Sequence, residues 1–252
     1  MTNITSHRIS YPSFHYTDEK LKVERGRMMF DDVDSGWENH VVAPETFLSR
    51  IEPGMSIFLG TGVAEPRTIV KKLMASEMNN LTDLELVQIV SLGDAISFKN
   101  NAGDHKFRLK TFFAGWLASE AITSGFVDMI PCRFSQIPRL VESGAIRVDV
   151  AFVQITPPDR AGYASLGVSV DVAKYAMERA SIVVGEINSL VPRTMGNTFV
   201  HVDDFDYLVR ATEPPIYFPR WPGGGGGGAG GGPPPPRLLE CILNAFLYRA
   251  RF

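Results

Sequence analysis

The run Val148-Asp-Val-Ala-Phe-Val-Gln-Ile-Thr156, followed by Pro157-Pro-Asp-Arg-Ala-Gly-Tyr163, decides how this sequence folds. Its first part is apolar and rich in β-branched residues, and its length suits a buried strand. The second part is dense in residues that turn a chain. A small-residue segment, Ala164-Ser-Leu-Gly-Val-Ser-Val170, leads to Asp171. The Asp171 carboxylate is placed to cap a helix over Val172 to Ala180 by accepting its free N–H groups. Ser181-Ile-Val-Val-Gly-Glu-Ile-Asn188 reads as a second strand. A polar loop, Pro192-Arg-Thr-Met-Gly-Asn197, and then Phe199-Val-His-Val-Asp-Asp-Phe-Asp-Tyr-Leu-Val209 close the segment. Strand, helix and strand in that order predict a parallel crossover unit, with polar residues clustering where the strands end.

Upstream, the same alternation continues. Pro44 to Ile51 reads as a helix ended by Pro53-Gly54, and Ser56 to Gly60 as a short strand. After the Gly60-Thr61-Gly62 turn a helix is expected from Pro66 to about Met78, with Pro66 in the first turn, where a missing N–H is no loss. Leu84 to Val90 and Phe107 to Phe113 read as strands around a Gly/Asn/Asp-rich loop from Ser91 to His105. Helices near Leu117 to Thr123 and Phe134 to Glu142 flank a strand at Phe126 to Ile130. Strands and helices alternating at short spacing predict an α/β fold: an open, largely parallel sheet with flanking helices.

Composition narrows the class. The chain has 252 residues, 44% hydrophobic and 21% charged, ordinary for a globular protein and enough for a substantial core. A net charge of −3 gives no basic face for nucleic acid. Cys132 and Cys241 match neither a zinc-ligand nor a redox spacing, and Cys132 reads as a buried thiol. No apolar run reaches the roughly 18 residues that span a bilayer. The first twenty residues carry His7, Arg8, Asp18 and Glu19 without an apolar segment, so no secretory signal is expected and a cytoplasmic location follows by default.

The run from Val148 to Asp171, with Val184-Gly-Glu-Ile-Asn188, Pro192 to Asn197 and Phe199 to Val209, resembles the amino-terminal half of the acetyl-CoA hydrolase/acetate CoA-transferase family, which includes 4-hydroxybutyrate and butyryl CoA-transferases. The resemblance extends to Phe112-Phe-Ala-Gly115, to Ile130 through Leu140 and more weakly to Gly60-Thr-Gly62, covering roughly residues 45 to 218. It implies the open α/β fold of CoA-transferases, similar to that of ribose-phosphate isomerases. The expected organisation is an amino-terminal extension over 1–43, the CoA-transferase domain over 44–218, a Gly/Pro low-complexity segment over 219–236 and a short tail over 237–252. The extension reads as packing loosely or forming a short helical arm. The Gly/Pro run has no apolar side chains to pack, and the tail fits an amphipathic helix. Because family resemblance stops abruptly, sequence after about Arg220 is read as aberrant, with a natural flexible linker as the alternative.

The resemblance also implies a mechanism: a glutamate carboxylate attacks an acyl-CoA thioester and passes through a glutamyl-CoA intermediate. That glutamate and the main glycine-rich CoA-binding loop belong to the family's carboxy-terminal half, so no catalytic residue is assigned here. Coenzyme A is expected as a substrate, with no tightly bound cofactor. Partners implied are acyl-CoA, a short-chain carboxylate, and a missing carboxy-terminal half or separate subunit. A homo-oligomer is expected from apolar surface left uncovered.

Candidates for lining a cleft remain. Gly60, Thr61 and Gly62 either face it or form a plain tight turn. A phosphate-binding reading of that turn is weak, because Glu65 stands where a dinucleotide motif has its third glycine and repels pyrophosphate. Glu65 itself reads as a helix-start carboxylate favoured by the helix dipole, or as part of an acyl pocket. Glu186, with Asn188 after it, stands near where a crevice forms outside the strand ends, serving a substrate or interface role or a buried ion pair with Arg193. Tyr163, Ser165, Gly167 and Ser169 match the family's small-residue motif, suited to close backbone approach or to simple packing. Arg193 is the best single candidate for pairing with a carboxylate. His201 with Asp203, Asp204 and Asp206 reads as a solvated or interface loop rather than a metal site. Two rival readings stay open: a non-catalytic subunit of a split transferase, and a dinucleotide-binding domain.

Overall fold

A computed structural model of the chain describes residues 36–90, 95–96, 106–113 and 127–216. In chain order its strands are β1 (Ser56–Leu59), β2 (Leu84–Gln88), β3 (Phe107–Thr111), β4 (Val127–Met129), β5 (Val150–Ile155), β6 (Tyr163–Ser165), β7 (Ile182–Ile187), β8 (Phe199–His201) and β9 (Tyr207–Arg210). Helices α1 (Pro44–Leu48), α2 (Arg67–Ala75), α3 (Ile137–Glu142) and α4 (Ala173–Arg179) accompany them. Seven strands form one sheet in the order β4-β3-β2-β1-β5-β7-β9, every neighbouring pair parallel. The chain builds outward from β1 to β4, returns to lay β5 against β1, and builds outward the other way. The reversal puts the topological switch point between β1 and β5, where a crevice forms outside the carboxyl ends of the strands.

Both faces of this sheet are buried, which explains its nearly continuous apolar strands. On one face Ile57, Leu59, Leu84, Leu86, Val150, Phe152, Val184 and Val209 pack with Phe47 and Leu48 of α1 and with Ile69, Val70 and Leu73 of α2. On the other, Phe58, Val87, Ala151, Val153, Val183 and Leu208 pack with Ile137 and Val141 of α3 and with Ala173, Ala176 and Met177 of α4. The two sets alternate along each strand, as successive side chains must.

Several expectations change in detail. The segment from Phe199 to Val209 is broken by a 3-10 turn at Val202–Asp204: β9 joins the main sheet, whereas β8 pairs antiparallel with β6 in a separate ribbon. Asp171 does not cap α4. Its φ of 40° carries it away from the helix, its carboxylate accepts from Ser169 Oγ at 2.6 Å, and Val172 holds the N-cap position without a side-chain bond. Pro66 is the residue before α2 rather than inside it, and α2 ends at Ala75, before Met78. Cys132 is half-buried at the rim of the core rather than enclosed, and burial still raises its thiol pKa.

Of the amino-terminal stretch only 36–43 is described. Trp37–His40 form a 3-10 turn and Val42 N–H donates to Leu208 O at 2.8 Å, so this piece runs along β9. The helix expected near 117–123, most of the 91–105 loop and everything after 216 lie outside the described residues. No helix among the described residues is long and apolar enough to cross a membrane.

Phe152 sits at the middle of the sheet with no solvent exposure, and Phe47 meets it edge-on at 5.4 Å between ring centroids. Replacing it by alanine removes both the ring and its partner's contact. Phe152→Ala is therefore expected to lower unfolding free energy by about 3–5 kcal/mol, read from urea denaturation.

Candidate functional site

The polar residues of the sheet collect at its carboxyl edge, on the face covered by α2. Along β2, Leu84 and Leu86 are followed on the same face by Gln88; along β5, Val150 and Phe152 are followed by Gln154; along β7, Val184 is followed by Glu186. All three are buried, and Gln154 is the register partner of Glu186. Beyond β1 the chain enters the Gly60-Thr61-Gly62 turn, tied to its neighbours by Gly60 N–H to Phe152 O (2.9 Å) and Gly62 N–H to Val90 O (3.0 Å). This turn stands at the switch point itself.

Side-chain amides bind the layer together. Gln88 Nε2 donates to Glu65 Oε2 (2.9 Å) and to Gly60 O (3.1 Å), while Gln154 Nε2 donates to Val63 O (3.3 Å). Asn188 Nδ2 donates to Gln154 Oε1 (2.9 Å) and to Glu213 O (3.3 Å), and Asn188 Oδ1 accepts from Leu190 N–H (3.0 Å). Glu65 is not at the first turn of α2, as the sequence suggested. It closes the 3-10 turn Gly62–Ala64 with no solvent exposure.

Glu186 takes the helix-start position instead. Its Oε2 accepts the Ile69 N–H at 2.9 Å, within the first turn of α2, and Thr68 bonds it through both backbone and hydroxyl. Burial pushes the Glu186 carboxyl from its ordinary 4.5 up to about 7; the bonds from Ile69 and Thr68 oppose the shift and the Glu65 charge adds to it. The proposed ion pair between Glu186 and Arg193 does not form. Arg193 lies in another cluster, where Nη2 meets Asp159 Oδ2 at 2.7 Å, Nη1 donates to Tyr163 O at 3.0 Å and the guanidinium lies 5.0 Å from the centroid of the Phe199 ring.

That second cluster surrounds the β6–β8 ribbon. Ser165 Oγ accepts the N–H groups of Gly167 (3.1 Å) and Thr194 (3.2 Å), and Thr194 Oγ1 donates to Gly167 O at 2.6 Å. Gly167 has φ of +70°, and a Cβ there would lie 2.4 Å from Val191 Cγ1, so both the backbone angle and the packed valine methyl call for glycine. Ser165 N–H donates to Thr156 Oγ1 at 3.0 Å, which ties the ribbon to the end of β5. The two clusters thus flank one strand, Gln154 serving the first and Thr156 the second.

Gly60, Thr61, Gly62, Glu65, Glu186 and Asn188 therefore come together at the switch point, while Ser165, Gly167 and Arg193 assemble beside it. Gln88, Gln154 and Thr68 belong to the site and were not singled out. For Gln88 and Gln154 the signal is a polar residue near the end of an otherwise apolar strand; Thr68, in the first turn of α2, carries no such signal. Thr61 Oγ1, Gln88 Oε1 and Glu186 Oε1 are buried without a hydrogen-bond partner among the described residues. The α2 N-terminus is not open to a pyrophosphate, because Glu186 already occupies its N–H groups and Glu65 adds a second carboxylate nearby, which removes the basis for the dinucleotide reading. His201 serves the fold: its Nε2 is 2.9 Å from Ala161 O, its N–H donates to Asp204 Oδ2 at 2.7 Å, and no group of three or more His, Cys, Asp or Glu able to hold a metal occurs among the described residues.

Residues 25–218 match the family described as the acetyl-CoA hydrolase/transferase N-terminal domain. The chain is 36% identical over 178 residues to a 4-hydroxybutyrate coenzyme A transferase of Clostridium kluyveri, covering 71% of this chain and 41% of that protein. It is 32% identical over 171 residues to a succinyl-CoA:acetate/propanoyl-CoA:succinate CoA transferase of Fasciola hepatica, covering 68% and 35%. Among solved structures, a 4-hydroxybutyrate CoA-transferase from Porphyromonas gingivalis matches with a TM-score of 0.55 and 25% identity, over 72% of this chain and 42% of that one. The chain thus spans about two fifths of the length of these relatives.

A Cβ at Gly60 would lie 2.4 Å from Ala64 O, a backbone atom of the turn that places Glu65, and Gly60 has no positive φ, so the conflict is steric alone. Gly60→Ala is expected to reduce stability by about 1–3 kcal/mol in urea denaturation. A loss below about 0.5 kcal/mol would mean that the turn moves freely and does not fix Glu65.

Proposed function

The chain belongs to the acetyl-CoA hydrolase/transferase family, of which it carries the N-terminal domain; on that basis we propose that it is one half of an acyl-CoA:carboxylate CoA-transferase or acetyl-CoA hydrolase acting on short-chain acyl-CoA. The glutamate of the glutamyl-CoA intermediate lies outside this domain. The carrying observation is the burial of the two glutamates nearest the switch point: Glu65 and Glu186 have no solvent exposure and are held by Gln88, Ile69 and Thr68. A nucleophilic carboxylate has to reach the thioester carbon, and neither of these does.

In the complete enzyme, that outside glutamate attacks the acyl-CoA carbonyl and expels CoA thiolate, giving an acyl-glutamyl anhydride. The thiolate then attacks the glutamyl carbonyl and releases the first acid as its carboxylate, leaving a glutamyl-CoA thioester. An acceptor carboxylate takes CoA by the reverse pair of steps, or water hydrolyses the intermediate. This domain contributes one wall of the cleft: Gly60, Thr61 and Gly62 at the switch point, with Ser165, Gly167, Asn188 and the Asp159-paired Arg193 beside it. Uncovered apolar side chains at the same edge support a docking role. Met129 ends β4, Phe113 follows β3, and Leu190 and the 76% exposed Met195 follow β7. A carboxy-terminal half or a further copy of the chain fits that edge.

The purified chain alone is expected to release no CoA from acetyl-, butyryl- or 4-hydroxybutyryl-CoA with acetate present, and to form no borohydride-sensitive glutamyl thioester. Robust transfer by the isolated chain would overturn the reading, since the nucleophile would then lie within it.

A further inference from the structure

Glu186 and Glu65 are two carboxylates without solvent exposure in one layer, and among the described residues the other side chains of the layer, Thr61, Gln88, Gln154 and Asn188, are neutral. From α2, Arg67 and Lys71 face the layer's rim, and both reach Glu213, at 3.8 Å and 2.8 Å. From β9 the ionisable residues are Tyr207, half-buried, and Arg210, which is exposed and pairs with Glu38 at 2.8 Å. Among the described residues the charge that raises the Glu186 carboxyl is that of Glu65, of the same sign. Two ionised carboxylates in such a layer repel, and burial penalises each. Of the Glu186 oxygens, Oε2 accepts the Ile69 N–H, whereas Oε1 accepts no hydrogen bond among the described residues and is the one free to carry a proton.

Thr68 extends the connection. It precedes Ile69 in the first turn of α2, and its Oγ1 accepts the N–H groups of Thr212 (2.9 Å) and Glu213 (3.1 Å). Arg67 Nη1 donates to Pro214 O at 2.9 Å, Asn188 Nδ2 to Glu213 O at 3.3 Å, and Ala211 N–H to Ile187 O at 2.8 Å. The segment leaving β9 is thus fastened to the first turn of α2, and that turn is fastened to Glu186.

We propose that Glu186 is a proton-dependent positioning residue: as a neutral acid with its proton on Oε1 it latches the carboxyl end of β7 to the first turn of α2 and, through Thr68, to residues 211–214. The latch is a property of this domain and does not depend on which acid or acyl-CoA the complete protein uses. Its sign follows from linkage. A carboxyl whose folded pKa lies above its unfolded value favours the fold fully below the ordinary 4.5, loses that contribution as pH rises towards about 7, and changes no further above it. Any opening that lets water reach Glu186 becomes easier over the same range, and the amides beyond it lose protection.

The test combines a direct titration with hydrogen exchange on the full chain. In protein labelled with 13C at glutamate carboxyl carbons, one resonance is expected to titrate near neutrality and to vanish in Glu186→Gln. After correction for intrinsic exchange, protection of the Ile69, Thr212 and Glu213 amides is expected to fall by at least about tenfold between pH 5.5 and 8.5, with Glu186→Gln flattening the dependence. Glu65→Gln is expected to lower the Glu186 midpoint, because it removes the like charge. A Glu186 resonance with an ordinary carboxylate midpoint overturns the proposal in the unmodified chain, even if no variant folds. Protection factors that do not change with pH, or a pH dependence that survives Glu186→Gln, overturn it as well.

Discussion

A parallel sheet covered by helices on both faces has no room for an unpaired polar side chain along most of its length. This constraint governs the molecule. Strands β1, β5 and β7 remain apolar at both alternating positions as long as α1 and α2 lie on one side and α3 and α4 on the other. Polar side chains enter where that cover stops, at the carboxyl ends, and there they must satisfy one another. Gln88, Gln154 and Asn188 do so through bonds to each other and to the backbone of the 60–65 turn, and Glu186 through the Ile69 N–H of α2. Reversal of strand order between β1 and β5 brings these ends together at the switch point.

The use made of α2 separates this fold from a nucleotide-binding one of similar topology. In a dinucleotide domain the glycine turn leads directly into a helix whose free N–H groups face the pyrophosphate. Here a 3-10 turn at Gly62–Ala64 intervenes, and the first N–H groups of α2 point to Glu186 within the protein. The acceptor that would otherwise come from a ligand is supplied by a neighbouring strand. The same helix end then holds the departing chain, through Thr68 to Thr212 and Glu213 and through Arg67 to Pro214. One buried side chain therefore fixes both the wall of the crevice and the direction in which the polypeptide leaves it.

Much of this was legible in the sequence, and the failures have physical causes. Apolar runs bounded by turn residues located six of the seven strands of the main sheet to within a few residues, because a doubly covered strand is apolar on both sides; β9 lay undivided within the run from Phe199 to Val209. The motifs around 60–62, 165–167, 186–188 and 193 gave the residues that gather at the switch point and beside it. Asp171 misled because an aspartate before a helix reads as a cap whatever its φ, and only the fold shows it at 40°. The ribbon of β6 and β8 was missed since its strands have three residues each and take their order from Ser165 and Thr194, contacts between distant segments. The pairing of Arg193 with Asp159 rather than Glu186 is likewise a long-range outcome. Charge type alone could not choose between two carboxylates.

The buried layer also bears on the division of labour in the family fold. A carboxylate that attacks a thioester needs partial desolvation, ionisation and access at once. Glu186 has the first and lacks the third, and a pKa pushed up to about 7 leaves much of it protonated near neutral pH, when a protonated carboxyl is no nucleophile. Glu65 lies equally deep, its Oε2 accepting from the Gln88 amide. Under the function proposed above, a reactive glutamate carried outside this domain resolves the conflict, because this wall can then stay dry and rigid. In the proposed enzyme the glycines of the 60–62 turn and Gly167 would keep side chains out of the substrate path.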